Sequence, residues 1–261
     1  MDKDLSPSSD KERDERRRTI FEYVLSHGQA SAQELAEIVG RSLMTVHRDL
    51  DDLAARGLVR KYHGGVSALP TSMFESSSEF RKQRNVKAKQ ALGQKALELV
   101  EPGMSILLDD STTVLSLAKL LHQKAPLTVL TNYRDAIEVL VDVSDIKVVA
   151  IGGTYSKTHN SFVGSPHLTG LDSYAVDVVF QSTSTFDKNM TYHQEEDVVL
   201  MKRAMLNAGT RKVLMMDSSK LGKTSLHRFV ELAAFTDIIV TKDVPMSVFA
   251  DVPEATRIHI A

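Results

Sequence analysis

The chain has 261 residues, of which 42% are hydrophobic and 25% charged, and its formal net charge is −2 at pH 7. That length predicts about two globular domains, and the near-neutral charge is not typical of proteins that coat nucleic acid non-specifically. The chain contains no cysteine, which excludes disulfides, thiol chemistry and cysteine-based zinc sites.

Residues 1–12 are polar and are predicted to form a disordered N-terminus. In the segment that follows, 13–68, Ser31 precedes Glu34 by three residues, the spacing at which serine and glutamate cap a helix start reciprocally. Apolar residues at helical spacing then give this helix an inward face: Leu35, Ile38 and Val39.

A tight turn and a second helix are predicted next. Gly40 supplies the permissive backbone of the turn, Ser42 caps the second helix, and Gly57 ends it. Its apolar residues repeat every three or four positions and are expected to face inward: Leu43, Val46, Leu50 and Leu53. A strand over 58–62, a turn at 63–65 and a return strand from Val66 complete a hairpin. This order of elements predicts a winged helix-turn-helix domain that binds DNA.

The candidate DNA-reading residues are the polar, exposed ones at the start of the second helix, because recognition helices present such side chains to the major groove. They are Arg41, Ser42, Met44, Thr45, His47 and Arg48. Three residues of the hairpin are candidates for contacts with phosphate: Arg60, Lys61 and His63. The alternative interpretation is an ordinary solvated helix face and a polar hairpin. The arginines at positions 16–18 are expected either to lie close to the bound DNA or to belong to a solvated helix start.

Local charge bears on the mode of DNA binding. Between Arg41 and Gly65 there are five arginine and lysine side chains against three aspartates. The DNA hypothesis therefore depends on the geometry of the motif and not on bulk charge, and a selective binder with few phosphate contacts is expected.

Residues 16–66 resemble the N-terminal domain of the DeoR family of bacterial sugar-catabolism repressors. The family's Thr-Ile-Arg-Arg-Asp-Leu motif appears here as Thr45-Val46-His47-Arg48-Asp49-Leu50, followed by Leu53, Gly57 and His63-Gly64-Gly65. One departure is His47, which replaces the first arginine of the pair. A partly neutral imidazole binds phosphate more weakly than guanidinium, so the family's base preference at this position does not carry over.

Residues 69–79 combine a proline with a serine triplet and are predicted to be the interdomain linker. In the second domain, 80–261, short apolar strands alternate with amphipathic helices, which is typical of an α/β domain with a mostly parallel sheet. The expected strands are 105–108, 127–130, 147–151, 176–180, 213–216 and 238–240. Because ligands of such sheets bind at the carboxyl ends of the strands, the loops at those ends form the candidate site.

Those loops carry hydroxyls, an amide, carboxylates and paired glycines. Hydroxyls and backbone amides suit an anion such as phosphate, and carboxylates and an amide suit sugar hydroxyls. The candidate effector-binding residues are Asp109, Asp110, Ser111, Thr112, Thr113, Asn132, Tyr133, Arg134, Gly152, Gly153 and Lys220. Individually these loops are also explained by helix caps and turns.

The resemblance to the DeoR family continues over residues 80–243. The matching pieces include Asp109-x-x-Thr112-Thr113, Thr131-Asn132, Gly152-Gly153, Lys202-Arg203 and Asp217-x-Ser219-Lys220. The resemblance implies a sensor domain similar to the sugar-phosphate isomerase and coenzyme A transferase fold, in which a phosphorylated sugar alters DNA affinity. Ser111 and the stretch Gln181–Ser184 replace glycine-containing stretches of the family, so the usual effector does not carry over.

The function expected is therefore a DNA-binding transcriptional regulator, by family default a repressor of carbohydrate-metabolism genes. The alternative is a sugar-phosphate isomerase-like enzyme with Asp109, Asp110, Asp177 and Glu195 as candidate acids and bases. A third class is a winged helix used only for protein assembly. We expect a homo-oligomer, a dimer or tetramer, on a double-stranded operator, in the cytoplasm, without membrane, metal, cofactor or catalytic residues.

Overall fold

The structure is a computed structural model, and it describes residues 7–55, 58–68, 77–164 and 168–261. The chain divides into two compact units, with the boundary between Arg81 and Lys82. Most of the linker predicted at 69–79 lies outside the described residues, as does Gly57, the predicted helix stop. A short helix, Ser78–Gln83, contains the boundary between the units.

The first unit joins three helices to a small antiparallel sheet with strand order β1-β3-β2. Its elements are α1 (Pro7–His27), β1 (Gln29–Ser31), α2 (Ala32–Val39), α3 (Leu43–Ala55), β2 (Val59–Tyr62) and β3 (Gly65–Ala68). The helix α1 begins inside the segment 1–12, where disorder was expected. Proline fits the first turn of a helix because no amide hydrogen is needed there, so Pro7 can begin α1.

The local signals of the helix-turn-helix are present as predicted. Ser31 Oγ accepts a hydrogen bond from the Glu34 amide at 3.1 Å, and Glu34 Oε2 accepts one from the Ser31 amide at 3.4 Å. Gly40 ends α2 in the left-handed conformation, with φ 60°. Ser42 Oγ accepts a bond from the Thr45 amide at 3.3 Å at the start of α3. The capping residues therefore set both helix starts and the turn between them.

The inward face of α3 is one residue shorter than predicted. Val46, Leu50 and Leu53 are buried in the core of the first unit, but Leu43 is 46% exposed. Side chains on a helix lean toward its N-terminus, so a side chain on the first residue points past the packed turns. Ile38 of α2 is exposed for 41% of its surface, although it was expected on the inward face.

The second unit is built on a seven-stranded parallel sheet with strand order β15-β14-β12-β9-β4-β5-β6. All six predicted strands are present, and β15 was not predicted. The strands are β4 (Ser105–Leu108), β5 (Leu127–Thr131), β6 (Ile146–Ala150), β9 (Val176–Gln181), β12 (Gly209–Met216), β14 (Asp237–Val240) and β15 (Arg257–Ile260).

Helices and short hairpins surround this sheet. The helices are α4 (Val86–Leu97), α5 (Val114–Ala118), α6 (Arg134–Leu140), α7 (Leu168–Leu171) and α8 (Glu196–Ala208), with 3-10 turns at Leu121–Lys124, Ser218–Lys220, Leu232–Ala234 and Met246–Phe249. The remaining strands are the hairpin β7 (Thr154–Ser156) and β8 (Ser161–Val163), and a small sheet of β10 (Thr185–Phe186), β11 (Met190–His193) and β13 (His227–Glu231).

Apolar clusters cover both faces of the parallel sheet. Successive strand residues alternate between them, since Ile106 and Leu108 belong to one cluster and Leu107 to the other. Burial on both faces explains why the strands are nearly continuous apolar runs in the sequence. Because the strands are parallel, the loops after β4, β5, β9 and β12 meet at one edge of the sheet. Within the described residues, no helix combines the length and apolarity that crossing a membrane requires.

The last strand, β15, is fixed to the sheet by the buried carboxylate of Asp237. Arg211 contacts it through two nitrogens at 2.7 and 2.8 Å, Arg257 through two at 2.9 and 3.0 Å, and His259 Nε2 lies 2.8 Å away. Burial alone would raise the pKa of Asp237, but hydrogen bonds from Arg211, Arg257, His259 and Thr236 hold it well below its ordinary value. The carboxylate is therefore ionised and joins β12, β14 and β15.

Candidate DNA-reading surface and ligand site

The predicted DNA-reading residues lie together around the start of α3. Arg41, Ser42, Met44 and Arg48 are exposed, whereas Thr45 and His47 are half-buried. The Arg48 guanidinium lies 3.9 Å from the Met44 sulfur, and Arg41 pairs with Glu12 at 3.6 Å. This face therefore presents two cations, hydroxyls and a methionine methyl, which are the groups that contact phosphates and base edges in the major groove.

The hairpin β2–β3 carries the other three candidates, and all are exposed: Arg60, Lys61 and His63. The Lys61 ammonium pairs with Asp51 of α3. Gly65 lets this hairpin pack closely on β1, because a Cβ at that position would lie 2.5 Å from the Ala30 carbonyl oxygen. The hairpin thus packs closely on β1 and completes the small sheet beside α2 and α3.

Asp49 of α3 is a structural residue that sequence reasoning missed. It is 1% exposed and accepts hydrogen bonds from Arg16 Nε at 2.6 Å, Arg16 Nη2 at 3.2 Å and Arg17 Nε at 2.9 Å. Arg17 also pairs with Asp52 at 3.0 Å. Two of the arginines placed near DNA therefore bind α1 to α3. The available signal was an aspartate on the inward stripe, three residues after Val46, where a buried charge needs a partner.

In the second unit, Lys202 of α8 pairs with two adjacent carboxylates after β4. Its ammonium contacts Asp109, lies 3.4 Å from Asp110 and donates to the Ser182 carbonyl at 3.2 Å. Asp109 also accepts the amides of Ser111 at 3.0 Å and Ser182 at 2.8 Å. Asp109 is consequently engaged by the protein itself, and its contact with an effector stays a prediction. Lys202 was noted only as part of a motif.

Lys220 brings together the loops after β4, β9 and β12. Its ammonium lies 2.5 Å from Ser182 Oγ and 3.4 Å from Thr113 Oγ1. Burial alone would raise the pKa of nearby Asp217, but the charge of Lys220, hydrogen bonds from Ser219 and the charge of Lys89 hold it below its ordinary value. Of the loops predicted from sequence, those after β4 and β12 are therefore adjacent, and Lys89 of α4 adds a second cation beside them.

A groove of about 440 Å³ lies between α4 and α5 and reaches the loop after β4. Thr112 and Lys89 line it, together with Lys119, Gln90 and Gln94. Its volume is within the range of small-molecule sites in proteins. Of the residues near the carboxyl edge, Thr112 and Lys89 are the two named above that face this groove.

Several predicted effector residues have other roles. The Tyr133 side chain is fully buried in an apolar cluster, and Arg134 is exposed and pairs with Glu138 at 2.8 Å. The Ser111 hydroxyl accepts the Val114 amide at 3.0 Å at the start of α5. Gly152 and Gly153 are exposed, and a Cβ on Gly152 would meet open space, so Gly152 does not mark a close backbone approach. Asp110, Thr112, Thr113 and Asn132 remain buried at the carboxyl edge.

The hairpin β7–β8 lies against two of these loops and was not foreseen. Ser161 Oγ donates to Asp110 Oδ2 at 2.8 Å, and Asn132 Nδ2 donates to the Phe162 carbonyl at 2.8 Å. The Phe162 amide donates back to the Asn132 carbonyl at 2.9 Å. No sequence signal placed this hairpin, because its contacts join positions about 30 to 50 residues apart.

Of the four carboxylates considered for acid–base catalysis, Asp177 lies apart from Asp109 and Asp110. Asp177 accepts the amide and hydroxyl of Ser105 at 2.7 and 2.6 Å, at the amino ends of β4 and β9, and these bonds hold its pKa below its ordinary value. Asp109 follows the opposite end of β4, about 13 Å along the strand at its usual rise. Asp177 therefore cannot act with Asp109 on one substrate.

Comparison with known proteins matches both units to one family. The family model of the DeoR-like helix-turn-helix domain matches residues 16–71, and that of the DeoR C-terminal sensor domain matches residues 84–242. Ribose 5-phosphate isomerase A from Methanocaldococcus jannaschii aligns over 52% of this chain and 55% of its own, with 18% identity and a TM-score of 0.38. That score is too low to carry an argument.

Relatives match over nearly the full chain. The L-fucose operon activator of Haemophilus influenzae is 34% identical over 227 residues, which are 87% of this chain and 91% of that protein. The uncharacterized HTH-type transcriptional regulator YgbI of Escherichia coli is 34% identical over 233 residues, 89% and 91% of the two chains. The HTH-type transcriptional repressor GlcR of Bacillus subtilis is 28% identical over 249 residues, 95% of each chain. The chain therefore belongs to the DeoR family of helix-turn-helix transcriptional regulators.

Proposed function

We propose that the protein represses carbohydrate-metabolism genes by binding a double-stranded DNA operator, and that a phosphorylated sugar bound to the second unit changes its DNA affinity. Two relatives are named for the control of operons: the L-fucose operon activator of Haemophilus influenzae and the protein of Escherichia coli O157:H7 whose name is putative aga operon transcriptional repressor. Both activation and repression occur among these names, and repression by promoter occlusion is the simpler outcome for a protein that joins a DNA reader to a sensor domain.

The DNA contacts are assigned to the face at the start of α3 and to the hairpin β2–β3. Exposed Arg48 suits a bidentate contact with guanine, and the Met44 methyl suits the methyl of thymine. Arg60 and His63 suit phosphates beside the groove. Because His47 is only half-exposed and its imidazole is a weaker phosphate ligand than guanidinium, we assign it to base contact or packing at the groove edge.

Lys220 is the observation that carries the ligand assignment. It lies between the hydroxyls of Thr113 and Ser182, with the charge of Lys89 acting on the same loop. Two ammonium groups beside hydroxyls are suited to a phosphate, which accepts hydrogen bonds at every oxygen. The groove that Thr112 and Lys89 line is large enough for the attached sugar.

The enzyme hypothesis is the weaker one for this geometry. Asp109 is engaged by Lys202 and two amides, and Asp177 lies at the other end of the sheet. A ligand that binds without turnover is sufficient for regulation, because the ligand's effect on DNA affinity equals the DNA's effect on ligand affinity.

We further propose that the protein acts as a homo-oligomer in the cytoplasm. Helix-turn-helix readers bind paired half-sites separated by about 10 base pairs or a multiple, and two-fold symmetric proteins match such operators. Sedimentation of the protein with DNA of one and of two half-sites tests this, and a single subunit bound to a complete operator would contradict it.

The test of ligand control is a thermal-shift screen of sugar phosphates on the full chain. A specific ligand at 100 times its dissociation constant is expected to stabilise the protein by about 2.7 kcal/mol. Thr112→Ala and Lys220→Ala should remove this shift, whereas Lys188→Ala, which alters an exposed lysine of the same unit, should retain it.

The ligand that stabilises the protein is then added to the protein bound to an operator selected from random-sequence duplexes. Fluorescence anisotropy should show lower DNA affinity for the wild-type chain and no change for Lys220→Ala. A ligand that shifts the melting temperature through Lys220 and leaves DNA affinity unchanged would contradict ligand control.

A further inference from the structure

The exposed face of α3 carries a carboxylate where a DNA-reading helix is expected to present cations and neutral polar groups. Met44, Arg48 and Asp51 are exposed, and their spacing of four and then three residues places them along one face of the helix. The Asp51 side chain is 66% exposed. Phosphates repel such a charge, because like charges that face one another across a binding surface weaken association. The position of Asp51 on this face therefore requires a physical explanation.

Asp51 binds the lysine of the neighbouring hairpin. Its carboxylate pairs with the Lys61 ammonium of β2, and Lys61 is a candidate for contact with phosphate. A phosphate that approaches Lys61 must first displace this carboxylate, and it then remains next to the negative charge of Asp51. The free energy gained from a contact between Lys61 and phosphate is reduced accordingly.

A second pair of the same kind lies at the start of the DNA-reading face. Arg41 precedes α3, and its guanidinium lies 3.6 Å from the Glu12 carboxylate of α1, with more than half of each side chain exposed. By contrast, Arg48 contacts the Met44 sulfur, and among the residues that the structure describes it pairs with no carboxylate. Carboxylates therefore hold two cations beside the face, whereas the arginine proposed to read a base is available.

We propose that Asp51 and Glu12 are specificity-determining residues that weaken sequence-independent binding to DNA. Each occupies a cation in the unbound protein and so reduces the affinity that the chain gains from phosphate alone. The contact of Arg48 with a base edge is unaffected, so sequence-dependent contacts supply a larger share of the total DNA affinity. The inference rests on the proposed assignment of DNA contacts to the start of α3 and to hairpin β2–β3.

The test is a salt titration of the binding between the full chain and a fluorescently labelled duplex of random sequence, measured by anisotropy. Asp51→Asn and Glu12→Gln should each release one cation for phosphate and steepen the dependence of log affinity on log salt by about 1. When salt is lowered from about 200 to about 50 mM, each variant should gain about threefold more affinity than the wild type gains. The matched control is Glu22→Gln, which breaks an exposed pair with Arg18 on α1 and should leave the salt dependence unchanged.

A second comparison separates pairing from simple repulsion. The steeper salt dependence of Asp51→Asn should disappear when Lys61→Ala is introduced into the same chain. That of Glu12→Gln should likewise disappear with Arg41→Ala. A steeper dependence that survives the loss of the paired cation would show that the carboxylate acts only by repelling phosphate, and it would overturn the inference.

Failure of this inference is distinguishable from failure of the proposed function. If the wild type binds the duplex and Asp51→Asn and Glu12→Gln keep its salt dependence, or if Glu22→Gln steepens it equally, the inference is overturned and DNA binding stands. If the wild-type chain binds no duplex at low salt, neither the random one nor one selected from a random pool, the proposed function is overturned as well. Breaking an exposed pair costs little stability, circular dichroism checks the fold of each variant, and either variant alone decides the outcome.

Discussion

Removal of the Asp49 charge is expected to destabilise the packing of α3 against α1. Asp49→Asn keeps the shape of the side chain but leaves Arg16 and Arg17 facing a neutral amide in place of the carboxylate. Breaking one side of a buried ion pair costs about 3 to 5 kcal/mol, and the arginines keep some contact with water, so we expect the lower end, about 3 kcal/mol. The matched change Asp51→Asn alters an exposed pair with Lys61 and should cost less than about 1 kcal/mol.

Hydrogen exchange with mass spectrometry on the full chain measures this, because it reports each unit separately and does not require two-state unfolding. A loss of 3 kcal/mol corresponds to roughly a hundredfold faster exchange of the protected amides in α1 and α3. Peptides of the parallel sheet should not change. Unaltered protection in Asp49→Asn, or an equal loss in Asp51→Asn, would refute the view that this buried pair positions α3.

Three further predictions concern other parts of the chain. The Asp237 pKa in the folded protein lies below its unfolded value, so the carboxylate's stabilising effect is complete above about pH 4 and is lost as the pH falls below that. In acid, the free energy of unfolding of Asp237→Asn should therefore fall less steeply with decreasing pH than that of the wild type. Gly93→Ala places a Cβ 2.8 Å from the Ser116 backbone and should destabilise the second unit by about 1 to 3 kcal/mol in urea unfolding. Arg48→Ala should weaken operator binding by about 1 to 3 kcal/mol in anisotropy titrations and relax specificity at one base pair. The control Arg18→Ala, which alters an exposed arginine, should leave operator affinity unchanged. Equal losses of affinity in the two variants would remove Arg48 from base reading.

The parts of the fold that follow from short-range chemistry were predictable from sequence. The capping pair Ser31 and Glu34 and the turn at Gly40 depend on residues within four positions of one another, and the structure has them as expected. The parallel strands were recognisable because burial on both faces requires continuous apolar runs. Strand β15 escaped notice because Arg257 and His259 interrupt its two isoleucines, so it has no continuous apolar run.

The candidate site was predictable only as a set of loops. Whether a side chain at a strand end points to the core or to the site depends on the local pleat, which explains why Tyr133 is a core residue. The pairing of Lys202 with Asp109 spans 93 residues and depends on where α8 crosses the sheet. Spacing along the chain contains no information on that crossing. It likewise could not predict that His159 and Glu195 lie next to each other.

The contacts around Lys220 join segments of the chain that the ribosome makes at different times. Thr113 and Lys220 are 107 residues apart, and Asn85, whose side chain bonds to Asp217 at 3.0 Å, is separated from it by 132 residues. At translation rates of about 5 to 20 residues per second, the ribosome needs on the order of ten seconds to supply the second half of this arrangement. The helix-turn-helix has left the ribosome before Lys220 is added, so its residues are available for folding before the contacts of Lys220 can form.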